Sequence, residues 1–179
     1  MRLFIALQLP LSIKDELIKI QETFRHNRRR GNLTTPNNLH LTLAFIGEVD
    51  AERFDRVIEV LESVPMPPLT LTLDQVGFFH RKDGAVWWVG LQPHPQLLHF
   101  QKALIAGLRG AEIPYDPKPF NPHITMVRNY SPMHEPVVLP RVNPLTFTSE
   151  AVTLMRSHRV NEALVYTPLA VFMAQEDVE

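Results

Sequence analysis

The chain has 179 residues, 45% of them hydrophobic, and its 18 Lys and Arg residues nearly balance its 19 Asp and Glu residues to give a net charge of −1. This composition suffices for a packed interior, and the near-neutral charge excludes a global field that would attract nucleic acid or membranes. The absence of cysteine excludes disulfides, thiolate nucleophiles and thiolate-bound zinc. With no secretory signal pattern and no apolar run near the roughly 20 residues of a membrane helix, we expect a cytoplasmic protein without a membrane segment.

The first half of the sequence predicts strand, helix, strand and helix. The apolar segment 2–9 predicts a strand, and Ser12 is the expected N-cap of a helix of about four turns. That helix is expected to end in a loop at 25–31 (RHNRRRG), where cations and a glycine favour a C-terminus. Alternation predicts the next strand at 39–47, and Asp50 is the expected cap of a helix that stops at Pro65.

The second half predicts a hairpin, a helix and several strands. Residues 69–91 form the expected hairpin, because an Asp-Gly pair typical of tight turns separates two strand-like runs. A helix is predicted at 95–110, ending at its glycine, and is followed by a Pro-rich loop. The remaining predicted strands begin at about His123 and lie near 147–156 and 163–172.

An internal repeat links the two halves. His40-Leu41-Thr42 and His123-Ile124-Thr125 lie 83 residues apart, and the same shift aligns RLFIALQLP with AVWWVGLQP. The spacing from the aligned proline to the histidine is 30 residues in both halves. The match indicates a duplicated unit, and we expect the two units to pack about a pseudo-two-fold axis.

The repeat predicts a site. Because residues i and i+2 of a strand share a face, each histidine points the same way as the threonine that follows it. Pseudo-symmetry then brings two imidazoles and two hydroxyls to opposite walls of one cleft. Two histidines suit a displacement at phosphorus, since one takes a proton from the attacking oxygen and the other gives one to the departing oxygen. The hydroxyls would donate to phosphate oxygens.

The other histidines show no spacing typical of metal ligands, so we expect neither a metal nor another cofactor. They are His26, His94, His99, His134 and His158.

Three segments resemble a known family. LHLTLAFIGEV, PHITMVR and MRLFIALQLP are similar to the two-histidine (2H) phosphoesterase superfamily, particularly its RNA 2',3'-cyclic phosphodiesterase branch, also called 2'-5' RNA ligase. The segment LMRSHRVNEALVYTPL resembles that branch's C-terminal strand pair, with Ser157 and Tyr166. The resemblance implies a bilobal α+β fold over 1–179, with two antiparallel-rich sheets facing a central cleft, helices outside and no metal in the active site.

The resemblance also implies an activity, the hydrolysis of a terminal 2',3'-cyclic phosphate to a 2'-phosphate. It makes His40 the proton donor to the leaving 3' oxygen and His123 the acceptor that activates water. Thr42 and Thr125 would hold the phosphate. The near-symmetric repeat by itself does not orient this pair.

Further residues are expected to bind substrate. Arg128 matches a basic residue that often follows the second motif, and Phe45 is its counterpart in the first half. Arg128 lies five residues after His123, so an unbroken strand would turn it to the opposite face. A role in the cleft therefore requires a bulge or reach from the strand end.

A cluster of three arginines leaves two interpretations open. Arg28, Arg29 and Arg30 either stabilise a helix C-terminus or contact the phosphates of an RNA tail.

Several functions remain compatible with the sequence. The enzyme could also run in reverse and join RNA through a 2'-5' linkage, or act on small cyclic nucleotides or 2'-5' oligonucleotides. A non-catalytic RNA-binding module is the alternative of a different class. The expected partner is RNA with a 2',3'-cyclic phosphate end, such as a tRNA fragment, and a duplicated chain that has no need to dimerise is expected to be a monomer.

Overall fold

The computed structural model of the chain describes residues 1–176 and contains three long helices, numbered in chain order. They are α1 (Leu11–His26), α2 (Ala51–Ser63) and α3 (Pro95–Gly110). The helices predicted from the apolar periodicity are therefore all present. Asp50 caps α2 as predicted, since its carboxylate accepts a hydrogen bond from the backbone N–H of Arg53 at 2.9 Å.

Within the described residues 1–176, nine strands form two antiparallel sheets. In chain order the strands are β1 (Arg2–Gln8), β2 (Arg28–Leu33), β3 (His40–Glu48), β4 (Leu69–Arg81), β5 (Gly84–Leu91), β6 (His123–Pro132), β7 (Thr146–Ser149), β8 (Ala151–Val160) and β9 (Ala163–Met173). One sheet has the order β3-β1-β8-β9 and the other the order β2-β6-β5-β4-β7. The expected α+β fold with two antiparallel sheets is confirmed.

The core joins both halves of the chain. Strand β1 lies between β3 and β8, which explains why its residues 3–7 are all buried and read as an unbroken apolar run. Helix α1 packs on β6 and α3 packs on β3, so each helix covers the histidine-bearing strand of the other half. One continuous hydrophobic cluster results.

The two halves pair their strands in nearly the same way. Gln8 of β1 lies opposite His40 of β3, and Gly90 of β5 lies opposite His123 of β6. The histidines are 83 residues apart but their partners 82, so the paired strands of the two halves differ by one residue in register.

Two local predictions in the first half are wrong. Ser12 does not cap α1, because the helix begins at Leu11 and the carbonyl of Pro10 accepts the first helical N–H groups without any side-chain cap. The segment that follows α1 is a strand, β2, and not a loop. It pairs with the distant β6, and this long-range ladder holds a sequence without apolar alternation in strand form.

The C-terminal segment contains one strand more than predicted. The strand expected near 147–156 is divided at Glu150 into β7, which pairs with β4, and β8, which pairs with β1. The chain therefore crosses from one sheet to the other at this residue.

Across residues 1–176, none of the helices combines the length and the apolar character needed to cross a membrane.

We expect Gly77→Ala to destabilise the protein by about 1–3 kcal/mol, because the new methyl group would overpack the sheet. A Cβ at Gly77 would lie 2.2 Å from Cη2 of Trp88, whose indole crosses β4 at this point. Urea unfolding measures the loss. The matched control is Gly110→Ala, whose Cβ has no neighbour within 4 Å and which should be neutral or stabilising by up to about 1 kcal/mol. Equal stability of the two variants would contradict the close Gly77–Trp88 contact.

Candidate active site

A β-bulge follows each His-x-Thr motif. In β3, Thr42 and Ala44 lie opposite consecutive residues of β1, which leaves Leu43 without a partner. In β6, Thr125 and Val127 lie opposite consecutive residues of β5, which leaves Met126 without one. Each bulge shifts the face alternation of the strand by one residue.

The bulges resolve the orientation of Arg128. Because one extra residue separates it from Thr125, Arg128 lies with His123 and Thr125 on the wall of the cleft instead of facing the core. Phe45 occupies the equivalent position of β3 and likewise lies on the cleft wall.

A glutamine from the opposite half supports each bulge. The side-chain amide of Gln101 in α3 donates to the carbonyl of Leu43 at 3.1 Å. The amide of Gln21 in α1, itself 3% exposed, donates to the carbonyls of Met126 at 3.0 Å and Thr34 at 2.8 Å. These hydrogen bonds help to satisfy carbonyls at the bulges and couple each helix to the histidine-bearing strand of the other half.

The first histidine is held by hydrogen bonds at both ring nitrogens. Nδ1 of His40 lies 2.7 Å from the carbonyl of Asn38, and Nε2 lies 2.7 Å from the hydroxyl of Thr42. Because a carbonyl only accepts, Nδ1 carries the proton, and the Thr42 hydroxyl donates to Nε2 of the neutral ring. Nε2 is therefore the nitrogen that can exchange a proton with a ligand.

The surroundings of His40 fix the plane of its ring. Phe4 and Tyr166 lie with their ring centroids 4.9 Å and 5.1 Å from that of His40, the tyrosine edge-on. The side chain of Asn38 connects the histidine to β9, since its amide donates to the carbonyl of Leu164 at 2.9 Å and its oxygen accepts from the N–H of Tyr166 at 3.3 Å.

The second histidine repeats this arrangement. Nδ1 of His123 donates to the carbonyl of Asn121 at 2.5 Å, which again leaves Nε2 free for chemistry. Its ring lies edge-on to Phe79 at a centroid distance of 5.3 Å and close to Trp88 at 5.9 Å.

Both motifs line one small cavity. It has a volume of about 50 Å³, on the scale of a few water molecules. Its lining consists of Thr34, Asn38, His40, Thr42, His123, Thr125, Arg128 and Tyr166. The structure thus brings together six residues named in the sequence analysis: the two histidines, the two threonines, the arginine and Tyr166.

A larger cavity of about 620 Å³ adjoins the small one. Thr42, His123, Thr125 and Arg128 line both, so the two spaces are continuous. Phe45 lines the larger cavity only.

The arginine cluster is not brought to this site. In the part of the chain that the structure describes, the linings of both cavities lack Arg28, Arg29 and Arg30, which are exposed on β2. Arg28 donates to the carbonyl of Gly31, and Arg30 donates to that of Asp83.

Burial and positive charge lower the pKa values of both imidazoles. Desolvation is the main cause that lowers the pKa of His40 to about 4, and the charges of Arg128 and Lys14 contribute. Desolvation also lowers the pKa of His123 below 6.5, assisted by Arg128 and Arg81. An anionic group placed between the rings would oppose these effects, so the site favours a negatively charged ligand.

Some residues of the site were missed from the sequence. Asn38 and Asn121 belong to the repeat, because each precedes its histidine by two residues, and the 83-residue alignment contained this signal. Gln21 and Gln101 carried no such signal, since each contacts a strand of the other half.

Known proteins resemble this chain in sequence and in fold. A family model described as the 2'-5' RNA ligase superfamily matches residues 10–161. The chain is 32% identical over 170 residues to the RNA 2',3'-cyclic phosphodiesterase of Escherichia coli K12, covering 94% of this chain and 93% of that protein. It is also 32% identical over 184 residues to the protein of that name from Thermus thermophilus, covering 96% and 89%. The crystal structure of E. coli LigT complexed with 3'-AMP aligns over 98% of both chains with 30% identity and a TM-score of 0.86.

We expect Gln21→Ala to lower the free energy of unfolding by about 1–3 kcal/mol, because the carbonyl of Thr34 loses its side-chain donor and the carbonyl of Met126 keeps only the backbone N–H of Thr34. Gln101→Ala should lower the free energy of unfolding by less, since that side chain is only half-buried and water can replace its hydrogen bond. Urea denaturation of both variants provides the comparison. A Gln21→Ala variant as stable as the parent would contradict the proposed support of the bulge.

The ring protons of the two histidines should titrate separately in NMR spectra. His40 should titrate near pH 4 and His123 below 6.5. Because a nearby cation disfavours the protonated ring, Arg128→Gln should raise both pKa values. Arg81→Gln should raise only that of His123, and Lys14→Gln only that of His40. Equal changes in the pKa values of His40 and His123 on Arg81→Gln would contradict the placement of Arg81 near His123 alone.

Proposed function

Because the chain belongs to the 2'-5' RNA ligase superfamily, we propose that it hydrolyses RNA ends carrying a 2',3'-cyclic phosphate and leaves a 2'-phosphate. The family resemblance seen in the sequence is confirmed by these relatives and by the match to the LigT structures. The observation that carries the proposal is the small cavity, where two imidazoles with matching Nδ1–carbonyl hydrogen bonds meet two hydroxyls and a guanidinium.

The proposed reaction is a single displacement at phosphorus. A water oxygen attacks the phosphorus as Nε2 of His123 takes the water proton, and the bond from phosphorus to the 3' oxygen breaks. Nε2 of His40 gives its proton to that leaving oxygen. One proton is taken up and one released, so the products are a 2'-phosphate and a 3'-hydroxyl.

Thr42, Thr125 and Arg128 would stabilise the phosphate. Once His40 is protonated it no longer accepts from Thr42, so this hydroxyl is released to donate to a non-bridging oxygen. Thr125 lies in the equivalent position of the other half, and the guanidinium of Arg128 supplies positive charge where negative charge accumulates.

The phosphate itself has a part in setting the protonation state. In the free protein His40 is neutral at pH 7, because its pKa is about 4. The anionic phosphate raises the proton affinity of the ring when it binds. A proton held on a buried imidazole of low intrinsic affinity is readily transferred, which suits the role of His40 as the acid.

Other substrate contacts belong to the proposal as well. Phe45 lies on the wall of the larger cavity, where its ring can contact the nucleoside. Arg28, Arg29 and Arg30 would contact RNA only where it extends beyond the cavities.

The wider context is proposed on the same basis. The substrate would be RNA ends such as those of tRNA fragments, and the protein would act as a cytoplasmic monomer without a metal. We propose that 1–179 form one domain of two interlocked lobes, supported by the crossed glutamine contacts and the shared core. The last three residues, 177–179, lie outside the described part of the chain.

Ligation is a second candidate activity, favoured by the description of the matching family. In ligation a 5'-hydroxyl of a second RNA would take the place of water. Nε2 of His123 would take its proton, the bond from phosphorus to the 3' oxygen would break, and Nε2 of His40 would give its proton to that oxygen, which leaves a 2'-5' linkage and a 3'-hydroxyl.

An oligoribonucleotide with a 2',3'-cyclic phosphate end tests the proposal when incubated with EDTA. We expect a 2'-phosphate as the only product, and a loss of about 10²–10⁴-fold in kcat for His40→Ala and for His123→Ala. The control is His99→Ala, an exposed histidine of α3 outside both cavities. Product isomers are resolved by chromatography, and RNA binding is measured in parallel.

Each contrary result has a distinct meaning. A 3'-phosphate would overturn the choice of leaving group. Turnover of small cyclic nucleotides alone would show that these, and not RNA ends, are the substrate. RNA binding without any turnover by the parent would favour the non-catalytic binding module.

A further inference from the structure

We propose that the larger cavity binds the phosphodiester on the 5' side of the terminal nucleotide, and that Lys102 and Arg109 of α3 contact it. This inference rests on the proposed function. It extends that function from the reacting phosphate to the nucleotide before it, and makes the enzyme selective for oligonucleotide ends.

The larger cavity leads directly away from the reacting phosphate. Thr42, His123 and Thr125 line both cavities, so a terminal nucleotide whose cyclic phosphate lies between the histidines must place its ribose and base in the larger one. The volume of about 620 Å³ lies within the range of small-molecule sites. The rest of the RNA therefore leaves through this space.

Positive charge is concentrated along this path. Five cations line the larger cavity, whereas Asp116 is its sole carboxylate among the described residues and is paired with one of the five, Lys118, at 3.7 Å. The other four form no ion pair within residues 1–176: Arg81, Lys102, Arg109 and Arg128. In a protein of net charge −1, this local excess indicates an anionic ligand.

A single phosphate cannot contact all four of these cations. A nucleoside cyclic phosphate carries a single phosphate, which the histidines, threonines and Arg128 hold in the small cavity. Lys102 and Arg109 lie seven residues apart on α3 and therefore on the same face of the helix. Because they line the wall that α3 contributes, they are available for a second phosphate, which an RNA with a 5' neighbour provides.

Aromatic rings alternate with these cations, as in sites for single-stranded RNA. Phe79 lies under the guanidinium of Arg81 at 5.6 Å, and Tyr115 accepts a hydrogen bond from Arg109 at 2.8 Å. The loop that carries Tyr115 is fixed to β3 by a hydrogen bond from the N–H of Asp116 to the carbonyl of Phe45 at 2.8 Å. Rings and cations are thus held on one surface.

The test compares two substrates. Values of kcat/KM are measured for adenosine 2',3'-cyclic phosphate and for an adenylyl dinucleotide with the same cyclic end. The parent should prefer the dinucleotide, and the Lys102→Ala/Arg109→Ala double variant should lower that preference about tenfold, the size of one charge-assisted contact. The slope of log kcat/KM against log salt should become shallower by about 1 to 2 for the dinucleotide.

Lys19→Ala is the matched control, an exposed lysine of α1 outside both cavities, and it should keep the parental preference. A double variant with the parental preference, or a parent that does not distinguish the two substrates, would overturn the inference while the proposed function stands. If the parent hydrolyses neither substrate, the proposed function itself fails, and this inference fails with it.

Discussion

One unpaired residue after each His-x-Thr motif determines the arrangement of the site. The bulges at Leu43 and Met126 change the face alternation of β3 and β6, so that the histidine and threonine before each bulge and the side chain two positions after it all line one cleft. Without the bulge in β6, Arg128 would point into the core. The repeat gives two equivalent walls, and the pair Phe45 and Arg128 makes them different: one wall offers an aromatic ring and the other a positive charge.

The bulges and the fold depend on each other. A glutamine from the helix of the opposite half donates to the carbonyl at each bulge: Gln101 to that of Leu43, and Gln21 to that of Met126, which also accepts from the N–H of Thr34. The two halves therefore cannot separate without exposing their own histidine-bearing strands. The same burial that makes the core continuous removes water from the imidazoles and lowers their pKa values. The two imidazoles thus have lowered pKa values and are surrounded by cationic side chains, an arrangement that suits an anionic phosphate.

Much of the fold and of the candidate site could be predicted from the sequence, because these features depend on local periodicity. The alternation around His40 and His123, the cap at Asp50 and the helix over 95–110 are short-range features, and the repeat predicted that the motifs are equivalent. The parity of Arg128 indicated either a bulge or reach from the strand end, and the structure shows the bulge. Strand β2 could not be predicted, since RRRGNL lacks apolar alternation and is ordered by its pairing with β6. The contact of Gln21 with Met126 joins residues 105 positions apart, and no local pattern indicates it. The cations of α3 had no visible connection to the motifs until the fold placed them on the same cavity.

The central claim is that His40 and His123 act on one phosphate in opposite protonation states. The dependence of kcat/KM on pH, measured for the parent and for the residual activity of each single alanine variant, tests it most directly. The account predicts a bell with its optimum below pH 6.5, because the pKa values of both free histidines are lowered. His123→Ala should keep only the fall of rate with rising pH, since an acid remains, and His40→Ala only the rise, since a base remains. If His123→Ala kept the rise of rate and His40→Ala the fall, the acid and base roles of the two histidines would be reversed. A bell-shaped profile that survives in either variant would contradict the two-histidine mechanism.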